Sequence, residues 1–220
     1  MRRSRLRRSA CAIVWVAAAL PIAACDRAPA PPADGRSAPA PPARPVEGRI
    51  RYRLQDRPVF VATDGSRHPV GSLLAVPGKM AFGDFRWDER GAGSGPIWIR
   101  VDLPRQLISV FRGGDEIGTA VVVYGSDGTA TPSGSFRLLG KERLHRSRAY
   151  DADMPFTLWL THDGVALHAS VVARGRATHG CIGLPPDFAR QLFAVAQRGD
   201  RVFVIPASPD IEVIDKTSVS

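Results

Sequence analysis

Cysteine is scarce in this chain of 220 residues: three in all, at positions 11, 25 and 181. Cys11 falls inside an apolar leader and Cys25 at its end, so Cys181 is the one free thiol expected in the mature protein. A lone thiol cannot close an intramolecular disulfide, which excludes a disulfide-stapled scaffold. Neither a CxxC nor an HExxH pair occurs, so a zinc site built from His179 and Cys181 with His168 and His162 lacks the signature spacing. Long apolar runs are missing too. The stretch 10–20 is too short and too rich in alanine for a spanning helix. Outside the leader there is no Lys/Arg block and no aromatic-basic stripe, which argues against nucleic acid as a partner. No internal repeat is evident.

What is present begins with an export signal over 1–24. Arg2, Arg3, Arg5, Arg7 and Arg8 precede the apolar run, and small residues lead to the cysteine. Ile22-Ala23-Ala24-Cys25 resembles a bacterial lipobox, which implies a diacylglycerol on Cys25 and cleavage ahead of it. Two or three acyl chains hold a protein at a membrane where one does not. Asp26 resembles the signal that keeps some lipoproteins in the inner membrane, so an exported, periplasmic, lipid-anchored protein is expected. The formal charge of +9 overstates the mature chain. Without the five leader arginines the 30 basic side chains become 25, against 21 acidic ones. A mild positive charge suits work beside an anionic wall polymer or membrane.

The span 25–45 joins the anchor cysteine to a Pro/Ala-rich linker carrying Pro29, Pro31, Pro32, Pro39, Pro41, Pro42 and Pro45. It cannot bury apolar surface and reads as an extended spacer. At ~3.1 Å per residue it reaches ~60 Å.

The remainder divides into a small strand-bearing lead-in (46–95), a main domain (96–207) and a tail (208–220). Short β-branched or aromatic runs at 97–101, 107–111, 119–123, 156–160 and 202–205, bounded by turn residues, predict a mainly β sandwich or barrel-like core of mixed sheets. One short helix is expected after Cys181. Pro186 fits its first turn, Phe188, Leu192, Val195 and Ala196 repeat at helical spacing, and Gly199 stands where it would stop. Trp98 and Trp159 read as core, His68 and His145 as surface side chains, and Thr131-Pro132-Ser133-Gly134 as a structural turn.

The chemistry gathers around Thr178-His179-Gly180-Cys181-Ile182-Gly183. A cysteine nucleophile needs an imidazole to take its proton or stabilise its charge, and backbone N–H groups aimed at the oxyanion. Glycine beside it permits the tight turn that exposes those donors. His168 ends a short apolar strand and so brings an imidazole to the rim of a sheet.

With these residues in view, 98–206 resembles an L,D-transpeptidase catalytic domain of the YkuD type. The matching residues, in the family's order, are Val101-Asp102-Leu103, Leu107-Ile108-Ser109-Val110-Phe111, Thr131-Pro132-Ser133-Gly134-Ser135-Phe136, Tyr150, Met154-Pro155-Phe156, Ala166-Leu167-His168 and Thr178-His179-Gly180-Cys181-Ile182. The resemblance implies a peptidoglycan acyltransferase without metal or organic cofactor. Cys181 would be the nucleophile and His168 the proton donor and acceptor, oriented by a carbonyl such as that of Ala169. His179 would shape the oxyanion pocket, and the amides of Gly180 and Cys181 would be its donors. Tyr150, Met154, Thr178 and Gly183 would touch substrate. The implied partners are peptidoglycan stem peptides, with carbapenem-type β-lactams as inhibitors that acylate Cys181. Three departures stand out: Gly183 in place of the usual arginine, Ala169 in place of glycine or serine, and Thr178 in place of serine. Two other functions fit the same features. One is a hydrolase of this fold that cuts cross-links or protein–peptidoglycan bonds; the other is a non-catalytic wall-binding lipoprotein.

Overall fold

The computed structural model describes residues 45, 46, 48–126 and 128–206. The export signal, Cys25, nearly all of the linker and the tail lie outside them. The strands of the lead-in are β1 (Pro45–Val46), β2 (Arg49–Arg51), β3 (Val59–Val61), β4 (Arg67–Pro69), β5 (Ser72–Leu74) and β6 (Phe85–Trp87). The main domain continues with β7 (Ile97–Asp102), β8 (Leu107–Arg112), β9 (Asp115–Val121), β10 (Gly134–Arg137), β11 (Gly140–Ser147), β12 (Ala152–Trp159), β13 (Ala166–Ala169) and β14 (Ile182–Leu184). Helix α1 (Pro186–Val195) and strand β15 (Arg201–Ile205) close it.

Among the described residues nine strands form one sheet, in the order β1-β2-β5-β9-β8-β7-β15-β10 with β6 also on β9. A second sheet runs β11-β12-β13-β14, antiparallel except for the parallel pair β13–β14. The two inner faces meet with α1 in a single apolar core. Ile99, Val101, Ile108 and Val110 come from the first sheet, Leu158, Leu167, Ile182 and Leu184 from the second, and Phe188 and Leu192 from the helix. The expected mainly β architecture of mixed sheets, with one short helix behind the cysteine, is what the chain adopts.

The helix forms where its apolar spacing requires. Pro186 sits at its start, where a missing N–H costs nothing. Phe188 is fully buried, edge-on to the rings of Trp87 and Phe85 at 5.5 and 6.1 Å. Gly118 makes room for this layer, since a Cβ there would lie 2.4 Å from the Trp87 ring.

Most of the lead-in joins the first sheet, while β3 and β4 pair with each other in a small sheet of two strands. β5 pairs with β9 in parallel, β2 with β5, and β6 with β9. Buried Arg49 donates to the Ser72 hydroxyl and the Glu116 carbonyl, while the Glu116 carboxylate accepts the Leu74 N–H at 2.9 Å. On the outer face of the first sheet, Trp98 stacks on Phe111 at 4.0 Å in a second apolar cluster, a core residue as expected. His68 belongs to that cluster as well, 4.8 Å from the Trp98 ring and 4.7 Å from Phe203. It is therefore not the surface side chain that the sequence suggested. β4 is too short to show which of its faces is inward, and only the pairing with β3 turns His68 onto the aromatic rings.

Candidate active site

Register fixes the site. In the parallel pair β13–β14, Leu167 faces Ile182, His168 faces Gly183 and Ala169 faces Leu184. Leu167, Ala169, Ile182 and Leu184 all enter the core. Side chains alternate along a strand, so His168 and Gly183 occupy the opposite face, and Cys181, just before β14, joins that face. The thiol is half-buried, and Sγ lies 3.6 Å from the Gly164 carbonyl.

The His168 ring is held by its Nδ1–H, which donates to the Ala169 carbonyl at 2.9 Å. A carbonyl accepts only from a protonated nitrogen, so the neutral ring keeps its lone pair on Nε2. Among the described residues Nε2 has no hydrogen-bond partner, and no hydrogen bond joins the ring to Sγ. Such bonds are commonly loose in free enzymes and tighten with substrate. Burial pushes the His168 pKa below its ordinary value, with the Ala169 hydrogen bond opposing, and pushes the Cys181 thiol above its own, opposed by the Ala166 backbone. Both shifts favour the neutral thiol–imidazole pair at rest. A neutral imidazole is the form that can accept a proton from a neighbouring thiol.

The loop before β14 is held at both ends by one segment. Val123 and Gly183 exchange backbone hydrogen bonds at 3.1 and 2.8 Å, and the Thr178 N–H donates to the Tyr124 carbonyl at 3.0 Å. Gly125 then approaches so closely that a Cβ on it would lie 2.9 Å from Gly180 N and 2.0 Å from the Thr129 carbonyl oxygen. Gly180 adopts φ +106°, a conformation that suits glycine. Among the described residues no acceptor meets the backbone N–H of His179, Gly180 or Cys181. Three adjacent free donors beside a thiol are what an oxyanion hole requires.

Of the residues expected to touch substrate, Tyr150 offers surface. It is 52% exposed and stacks on the His179 ring at 4.1 Å, 12° from parallel. It rides on the turn between β11 and β12, where Asp151 takes a left-handed φ of 47° and Arg146 pairs with Asp151 and Asp153 at 2.7 Å each. Two of the others need correction. Met154 is 6% exposed and Gly183 is buried without a side chain, so neither presents a surface to a peptide. The Thr178 hydroxyl donates to the Cys181 carbonyl and closes the loop from within. Gly183 also has no space for the arginine usual in the family, because its Cβ would lie 2.7 Å from Val123 Cγ2 and 2.8 Å from Ser170 Cβ. Among the described residues no three His, Cys, Asp or Glu side chains are grouped as a metal would need.

Sequence reasoning missed Gly125, Tyr124 and Thr131 as parts of this site. They lie about 50 to 57 residues before the cysteine, and only their turn chemistry shows in the sequence.

Residues 96–204 match the family model of the YkuD L,D-transpeptidase catalytic domain. L,D-transpeptidase 1 of Mycobacterium tuberculosis is 32% identical over 120 residues, covering 47% of this chain and 48% of that protein. The chain thus spans about half the length of the curated relatives it matches. Among solved structures, an L,D-transpeptidase of Stackebrandtia nassauensis is 27% identical with a TM-score of 0.48, over 52% of this chain and 58% of that one. LdtMt1, solved in complex with imipenem, is 25% identical with a TM-score of 0.47, over 50% and 59%.

Proposed function

Residues 96–204 belong to the L,D-transpeptidase catalytic domain family, and from that premise we propose that the protein is a peptidoglycan L,D-transpeptidase. The observation that carries the proposal is the shared sheet face of Cys181 and His168, beside three backbone N–H groups that meet no acceptor among the described residues.

In this mechanism Sγ attacks the carbonyl of the L-centre that precedes the terminal D-residue of a stem tetrapeptide. His168 Nε2 takes the thiol proton, and the Cys181 N–H faces the oxyanion. The C–N bond then breaks, the same proton passes to the leaving D-amino acid, and a thioester remains on Cys181. An acceptor amine attacks that thioester, gives a proton to Nε2, and releases Sγ as the thiol. Electrostatic stabilisation by one such donor contributes about 3 kcal/mol, and a positioned general base typically 10²- to 10⁴-fold in rate. Tyr150 and His179 form the exposed wall against which a peptide would lie. Carbapenems fit the same nucleophile as acylating inhibitors.

Exported, periplasmic placement belongs to the same proposal. It rests on the signal over 1–24, the lipobox at Cys25 and the Pro/Ala linker, with Asp26 favouring the inner membrane. Labelling cells with a fatty-acid probe tests it: Cys25→Ser should abolish the label while leaving the catalytic domain active.

The decisive assay is mass spectrometry of stem tetrapeptides incubated with purified protein. A linked dimer is the expected product and tripeptide alone would indicate hydrolysis. Unchanged substrate with wild type, or unchanged turnover in Cys181→Ala, would refute the assignment.

A further inference from the structure

The Thr131 hydroxyl joins two loops that are distant in sequence. It accepts a hydrogen bond from the Gly125 N–H and donates one to the Gly180 carbonyl, each at 2.9 Å. Thr131 is 7% exposed, so bulk water does not stand in for either bond. The Gly180 carbonyl shares a peptide group with the Cys181 N–H. Among the described residues there is no cis peptide, and in a planar trans peptide the carbonyl and the N–H point in opposite directions. Holding the carbonyl toward Thr131 therefore turns the Cys181 N–H away from it, and that N–H meets no acceptor among the described residues. Glycine at 180 leaves this peptide plane little local restraint, so an outside anchor has to set it.

We propose that Thr131 is a positioning residue for acyl transfer, whose hydroxyl fixes the 180–181 peptide plane and so presets the Cys181 N–H as an oxyanion donor. This rests on the acyl-transfer role of Cys181 proposed above. Thr131 itself touches neither substrate nor thiol, and it acts only where negative charge develops on an acyl oxygen.

Two reactions of the same sulfur separate that role from a general one in folding. With a carbapenem, an Sγ–C bond forms at the lactam carbonyl, charge builds on its oxygen, and the ring C–N bond breaks as the nitrogen is protonated. With iodoacetamide, an Sγ–C bond forms at the methylene and iodide leaves with the electron pair; no oxyanion is made. Rates of both are measured by intact mass on wild type, Thr131→Val and Thr131→Ser, with thermal unfolding alongside. Thr131→Val should lower acylation about 10²- to 10³-fold, the loss typical of a removed oxyanion donor, and leave alkylation within about three-fold. Thr131→Ser should restore acylation. Equal slowing of both reactions by valine, or of neither, overturns the proposal. If the valine variant does not fold, serine decides: a ten-fold fall in its acylation-to-alkylation ratio overturns the proposal, and a ratio near wild type upholds it. Wild type that is alkylated but never acylated would overturn the acyl-transfer assignment itself, and this inference with it.

Discussion

His168 and Gly183 are direct neighbours across the parallel strands β13 and β14. That relationship places Cys181 diagonally opposite the imidazole, two residues before Gly183 on the same face. It also leaves the position beside the imidazole without a side chain, and Val123 and Ser170 fill the space.

His168→Ala should therefore lower acylation of Cys181 by about 10²- to 10⁴-fold, the usual worth of a positioned base. Carbapenem adduct formation followed by mass is the measurement. A rate within a few-fold of wild type would mean that another group takes the proton.

Gly183→Arg restores the residue usual at this position but meets Val123 and Ser170 before its guanidinium is reached. Overpacking of this kind costs about 1–3 kcal/mol, so the variant should unfold at lower denaturant than wild type. A variant as stable as wild type would show that the neighbours yield freely.

Tyr150→Ala removes the ring stacked on His179. Aromatic pairs contribute about 0.5–1.5 kcal/mol, which corresponds to a rise in KM for tetrapeptide of about two- to ten-fold. Tyr150→Phe keeps the stack and should keep KM; if both variants behave alike, the stack has no part in binding.

Phe188→Ala opens a cavity between α1, Trp87 and Phe85, next to the strands that carry the site. A loss of about 3–5 kcal/mol is expected in chemical denaturation.

Acid should weaken the fold in a definite direction. Burial holds both His68 and His168 below their ordinary value of 6.5. The unfolded chain then binds protons more tightly than the folded one, so stability is complete above about pH 6.5 and falls as pH drops below it. His68→Phe, which keeps an aromatic ring among Phe60, Trp98 and Phe203, should flatten part of that decline. An unaltered slope would assign the acid sensitivity elsewhere.

Strand legibility followed burial. β7, β8 and β15 are runs of apolar residues in or beside the core, and sequence located each to within a residue of its observed ends. The helix was legible for the same reason. β11 was not, because Gly140–Ser147 is an exposed edge strand rich in charged residues, and such edges carry no apolar alternation to find. His145 on that strand lies 3.1 Å from Glu142 and edge-on to Trp159, and the second of these contacts exists only because β11 pairs with β12.

The sequence by itself singled out the thiol and the imidazole of the proposed acyl transfer, the glycine beside the thiol, and the helix behind it. These are properties of short segments, in which residue chemistry and periodicity act locally. Tertiary structure alone decided that His168 and Cys181 share a face, that 123–125 clamps the cysteine loop, that the Thr131 hydroxyl links Gly125 to the Gly180 carbonyl, and that burial shifts both titratable groups toward their neutral forms. Each of these depends on register between strands or on desolvation by residues far along the chain, and neither quantity exists until the sheets have paired and packed.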